Sequence, residues 1–165
     1  MMRAYAQRMA RYNRWQNENL YTAAGRLSDD ERRRDRGCFF KSIHATLSHI
    51  LWADGQWMAR FENQPRPQGS IAESTSIFAD WNDMTAKRAA MDSRILDWAD
   101  GVNEAWFASD VSWFSGATQT DVTRPAALVT AHMFNHQTHH RGQVHAMLTG
   151  AGVMPGATDL WLLPE

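Results

Sequence analysis

Four stretches of this chain return an apolar side chain every three or four residues over several turns, and that period leaves helices as the framework. Tyr5, Met9, Tyr12, Gln16, Leu20, Ala23 and Leu27 mark the first, predicting an amphipathic helix over 2–25 that stops near Gly25. Phe39, Ile43, Leu47, Ile50, Leu51, Trp57, Met58 and Phe61 mark the second, over 38–62. The third runs from about Ser76 through Phe78, Trp81, Met84, Ala89, Ile95 and Trp98 to a stop near Asp100 and Gly101. A fourth begins with Pro125, whose missing N–H suits a first helical position, and reaches Leu148 before the glycines at 150 and 152.

The segments between them read differently. Ser28 precedes Glu31 by three residues, the spacing of a capping box for one short turn of helix, and the arginines that follow it are offset by Asp29, Asp30, Glu31 and Asp35 as a solvated connector. NQPRPQGS (63–70) holds two prolines and a glycine, enough to end the second helix and start a connection able to cross to a distant end of the fold. SWFSGATQTDVTR (112–124) sets β-branched and aromatic residues around a central Ser-Gly, which predicts a short hairpin or extended loop. In the tail, Leu160, Trp161 and Leu162 are expected to pin the chain against the helices or against a partner subunit.

The expected fold is therefore all-α: a four-helix bundle with a long crossover connection after the second helix and a short hairpin or extended loop before the fourth. At 165 residues the chain is expected to form one domain, 1–165. Its net charge of −1 carries no broad electrostatic footprint for nucleic acid. The first twenty residues interleave arginines with apolar residues, so neither a signal peptide nor a membrane span is expected, and a cytoplasmic location follows. A single cysteine, Cys38, excludes a cysteine-rich metal site.

Any metal must therefore be held by histidine, and HMFNHQTHHRGQVH (132–145) carries five of the chain's seven. On a helix His136 and His140 lie about 40° apart around the axis and can converge on one ion. His132 is one turn earlier on nearly the same face, His139 is rotated about 60° from His136, and His145 points elsewhere. The second helix offers His44 and His49, about 140° apart, so at most one of them faces the same interior. Ala45 and Ala53 leave room beside His49, while His44 has Phe40 and Ser48 as the corresponding neighbours, which separates the two only weakly. Three histidines without a fourth protein ligand would leave an open position, and imidazoles suit zinc, nickel or iron alike. Asn13, Asn17, Gln56 and Gln143 are candidate acceptors for the outer ring N–H groups.

The stretches 12–61 and 132–152, above all a central histidine in the second helix combined with NHQTHHRGQ in the fourth, resemble the DinB/YfiT-like family of metal-binding helical-bundle proteins. The resemblance implies a divalent-metal triad at His49, His136 and His140 and a homodimer. It also implies a metal-dependent enzyme, such as a low-molecular-weight-thiol S-transferase or isomerase, acting on a small-molecule substrate in detoxification or stress response. The alternative it leaves is a non-catalytic metal-binding bundle. Arg141 is a candidate substrate-carboxylate clamp or an inter-helix salt bridge, and Gln143 a candidate support for the ligands. Of the eight tryptophans, Trp15, Trp52 and Trp57 are the candidates to line a cavity.

Overall fold

The computed structural model describes residues 1–164. In chain order they form α1 (Met2–Ala24), α2 (Asp29–Arg33), α3 (Ile43–Phe61), α4 (Trp81–Gly101), β1 (Asp110–Ser115), β2 (Thr120–Pro125) and α5 (Ala126–Gly150). Short 3-10 turns stand at Glu73–Thr75, Glu104–Ala108 and Leu160–Leu162. The fold is mostly helical, and the segment expected as a short hairpin or extended loop is an antiparallel hairpin in which Asp110 pairs with Pro125 and Ser115 with Thr120. Val111 is buried from its inner face, and Ser112 and Thr123 join hydroxyls across the strands at 2.8 Å.

Three helix starts move for identifiable reasons. α3 begins at Ile43 rather than Cys38, because Ser42 Oγ accepts the Ala45 N–H and the preceding residues turn back on themselves, with Gly37 (φ 75°) and Lys41 (φ 68°) both left-handed. Phe39 fell on the helical period by coincidence and is 77% exposed. α4 starts at Trp81, since Asp80 caps the Asp83 N–H, so Ser76 and Phe78 precede it. Pro125 ends β2 at ψ 133° and flanks α5 instead of opening it. In the arginine run, Ser28 does cap Glu31, but Arg32 is buried, donating to the Leu27 carbonyl at 2.5 Å and lying 4.5 Å over the Trp81 ring.

The four long helices touch in a closed ring, α1 to α4 to α3 to α5 and back to α1. Their directions follow from two apolar clusters. One joins Ala6 and Ala10 of α1 to Met58 and Phe61 of α3, Ile95 and Trp98 of α4, and Met133 and Phe134 of α5. The other joins Leu20 and Ala24 of α1 to Ile43 and Leu47 of α3, Met84 of α4, and Val144 and Leu148 of α5. α3 and α4 therefore run the same way, and residues 62–80 must return along the length of the helices, as a crossover does. Gly69 in this connection sits at φ 95°, where an added Cβ would come within 2.5 Å of Ile77 Cδ1.

Between the two clusters lies a buried polar layer, one turn deep in each helix. Arg88 contacts Asp54 at 2.6 Å and Asp92 at 2.8 Å. Asn13 and Asn17 donate to Asp92 at 3.1 and 2.8 Å, and Gln137 donates to Asp54 at 2.9 Å. Four helices are thus pinned at one height by charge-assisted bonds. Leu160, Trp161 and Leu162 do not pin the tail against the helices, being 42%, 81% and 41% exposed. It is fixed instead by Tyr12, which donates to the Thr158 carbonyl at 2.6 Å, and by Gln16, which donates to Ala157 at 3.0 Å.

Candidate metal centre

α3 and α5 lie antiparallel, and each brings its middle histidines to the shared groove. His49 from α3 meets His136 and His140 from α5, with ring centroids 5.3 and 5.0 Å away, while His136 and His140 are 4.5 Å apart. One nitrogen from each ring lies within 4.8 Å of the others, and the Nε2 atoms of His49 and His136 are 3.3 Å apart.

Two of the rings are oriented by bonds made on their far side. Ser74 Oγ donates its only proton to the Ile71 carbonyl at 2.6 Å, so at 2.8 Å from His49 it can only accept. His49 therefore carries its proton on Nδ1 and turns its Nε2 lone pair to the centre. His140 Nδ1 lies 2.8 Å from Gln143 Oε1, which fixes the same tautomer, and the Gln143 amide nitrogen lies 3.3 Å from His139 Nε2. His136 Nδ1 is enclosed with no partner among the described residues, so only its Nε2 faces a group it can bind.

Burial keeps these rings neutral. Desolvation, reinforced by His140 and His49, holds the His136 pKa down to about 3, and desolvation with His140 holds His49 at about 4. The pKa of His140 is lowered by burial too, against the pull of its bond to Gln143. Neutral imidazole is the form that ligates a metal.

The donor set fits a divalent ion. Metal–nitrogen bonds of ~2.0–2.1 Å in a tetrahedral site place two ligand nitrogens ~3.3 Å apart, which is the His49–His136 spacing. It also fits chemically, because two outward N–H groups are spent on oxygen acceptors, the pattern that metal-bound histidines show.

Around the triad the structure places Phe40, whose ring is 4.1 Å from His49 and 5.3 Å from His140, and Trp52, 6.1 Å from His49. His132 lies 5.9 Å from His136 and packs edge-on to Trp57. Trp15 instead packs on Tyr12 within α1. His44 points away and lies with Nε2 2.8 Å from the Phe78 carbonyl, a core role. Of the four candidate acceptors only Gln143 touches a ligand; Asn13 and Asn17 serve Asp92, and Gln56 donates to the Pro67 carbonyl. Arg141, adjacent to His140 in sequence, is buried toward α1, where it bonds Asn13 Oδ1 and, at 3.2 Å, Thr138 Oγ1. Sequence reasoning missed Ser74, which lies on a connection without helical period, and set Phe40 on the second helix beside His44, whereas it precedes α3 and packs on His49.

Residues 1–165 match the DinB family. A protein from Bacillus subtilis (strain 168) described as Protein DinB is 24% identical over 168 residues, spanning 98% of this chain and 94% of its own length. The crystal structure of a DinB-like protein from Bacillus cereus ATCC 10987 superposes with a TM-score of 0.64 at 12% identity, covering 87% of this chain and 90% of that one. That likeness is one of fold.

Proposed function

The chain belongs to the DinB family, and from that premise we propose that it is a metal-dependent enzyme, a low-molecular-weight-thiol S-transferase acting on a small-molecule electrophile in detoxification or stress response. The observation that carries the reading is the convergence of three neutral imidazoles, with His49 and His136 Nε2 3.3 Å apart and two rings locked by Ser74 and Gln143. Three ligands leave a position open, as a catalytic site requires and a structural site does not. A divalent ion there would supply Lewis acidity, lowering the pKa of a thiol brought to that position.

The residues of the chain set the conditions for that chemistry. Three uncharged imidazoles, His49, His136 and His140, would leave the charge of a bound ion uncompensated. Ser74 and Gln143 hold two of the rings against rotation, which preserves the aim of their lone pairs. Phe40 and Trp52 cover the rings with apolar surface that keeps water from competing. The transfer itself joins the thiol sulfur to the electrophilic carbon as the leaving group departs and the thiol proton passes to solvent.

In the same reading the chain works as a homodimer, with the exposed Leu160, Trp161 and Leu162 as surface available to a second copy. Among the described residues no helix is long and apolar enough to cross a membrane.

Metal analysis of the purified wild type and His49→Ala tests the premise. Metal in the first and none in the second is expected; none in either sinks the site. Incubation of metal-loaded protein with several cellular thiols and an alkylating electrophile then tests the activity. Conversion that needs both metal and thiol is expected, whereas inertness across the panel leaves a non-catalytic metal-binding bundle.

A further inference from the structure

We propose that this protein has a second binding site, separate from the histidine triad: the cavity between α1, α5 and the C-terminal tail, which takes a small monocarboxylate on Arg141. The cavity is about 260 Å³ and is lined by Tyr12, Gln16 and Leu20 of α1, by Arg141, Gly142 and His145 of α5, and by their neighbours Thr138 and Thr158. Thr138 and His145 lie about 200° and 180° around α5 from His136, so the cavity opens on the opposite side of that helix from the triad.

Arg141 is 5% exposed, yet among the described residues no carboxylate lies within ion-pair distance of it. The two buried carboxylates nearby, Asp54 and Asp92, are both bridged by Arg88, and Arg141 reaches Asp92 only through Asn13, which accepts from one and donates to the other. Its hydrogen bonds go to two neutral oxygens, Asn13 Oδ1 and Thr138 Oγ1, although a guanidinium has five N–H donors. Asp54 and Asp92 act on this buried cation only through space and through Asn13, and the Tyr12 ring lies 5.6 Å from it, so no carboxylate occupies the unfilled space beside it.

The rest of the lining defines the ligand. Tyr12 gives its hydroxyl proton to the Thr158 carbonyl, Gln16 gives one amide N–H to the Ala157 carbonyl, and His145 Nε2 lies 3.4 Å from the Gly156 carbonyl, so the tail forms one wall. Arg141 is then the single permanent cation, which matches one carboxylate and not a dianionic phosphate. Leu20 and the Tyr12 ring provide apolar surface for a short hydrocarbon body. Gly142 has open space where a Cβ would stand, so the ligand can approach the helix backbone closely.

The test is titration of the full-length protein with acetate, butyrate and benzoate at fixed ionic strength, with butyramide as the neutral isostere of butyrate, followed by backbone amide NMR. Saturable binding of at least one carboxylate is expected, with shifts centred on Gly142, His145 and Thr158 rather than on His49, and none with butyramide. Arg141→Gln should weaken it at least about tenfold, and Gly142→Met, which projects a side chain into the cavity and suits a helix better than glycine, should weaken it comparably. If Arg141→Gln fails to fold, Gly142→Met decides. No saturable binding in wild type, shifts centred on the triad, or affinity unchanged in Gly142→Met would each overturn the proposal.

Discussion

Ser74 Oγ lies 2.8 Å from Nδ1 of His49 and, with its own proton committed to the Ile71 carbonyl, accepts the ring N–H. A residue of the crossover connection thus decides the tautomer of a ligand on α3. Ser74 is fully buried, so water cannot replace its hydroxyl when it is removed. Ser74→Ala should therefore lower metal affinity by ~10–100-fold, the usual cost of losing such a partner, and Ser74→Thr should lose less. Competition with a chromogenic chelator measures it; equal affinity in Ser74→Ala would show that the bond does not orient the ring.

His44 and His49 were alternatives on spacing alone, and their partners now separate them. His49→Ala removes one of the three converging nitrogens and should abolish metal retention. His44→Ala removes the ring that lies 2.8 Å from the Phe78 carbonyl, so it should keep its metal and lose ~1–3 kcal/mol of stability. Metal content together with urea denaturation distinguishes the two. A metal-free His44→Ala of normal stability would contradict the assignment.

How far the sequence carried the structure depends on where each residue's position originates. His49, His136 and His140 lie on long helices, so their angular positions followed from a 3.6-residue period, and only the choice between His44 and His49 needed more. Ser74 and Phe40 reach the triad through a crossover and a tight turn, whose paths are set by Gly69, Gly37 and Lys41 at positive φ rather than by any periodicity. The polar layer was hidden for another reason. Asp54, Arg88 and Asp92 are ordinary charged residues in their own helices, and only tertiary pairing of α3 with α4 makes them interior.

Arg88 is 3% exposed and holds two buried carboxylates. Arg88→Met would leave both without their shared cation, and breaking a buried pair in this way costs ~3–5 kcal/mol. Denaturant unfolding should show that loss. The triple variant Arg88→Met, Asp54→Asn, Asp92→Asn should recover part of it, since Arg88 and its two carboxylates are removed together while Arg141 stays buried without them. A small loss in Arg88→Met would mean that the layer is hydrated and contributes little.

The metal-free protein should also lose stability in mild acid. His136 and His49 have folded-state pKa values of about 3 and about 4, below the ordinary 6.5, because burial penalises their charged forms. Burial lowers His44, His132 and His140 in the same direction. Between pH ~6.5 and ~4 the unfolded chain binds protons that the folded one refuses, so stability is complete above the unfolded value and declines as pH falls through that window. The thermal midpoint should therefore be flat above pH ~7 and drop below ~6.5. Replacing His49 and His136 together by Leu should flatten part of that drop. With metal bound, protons compete with the ion for the same Nε2 lone pairs only near the folded-state values, so acid should release metal as pH falls through about 4 rather than near 6.5. A metal-free midpoint independent of pH from 7 to 4 would mean that the buried histidines pay no penalty on protonation.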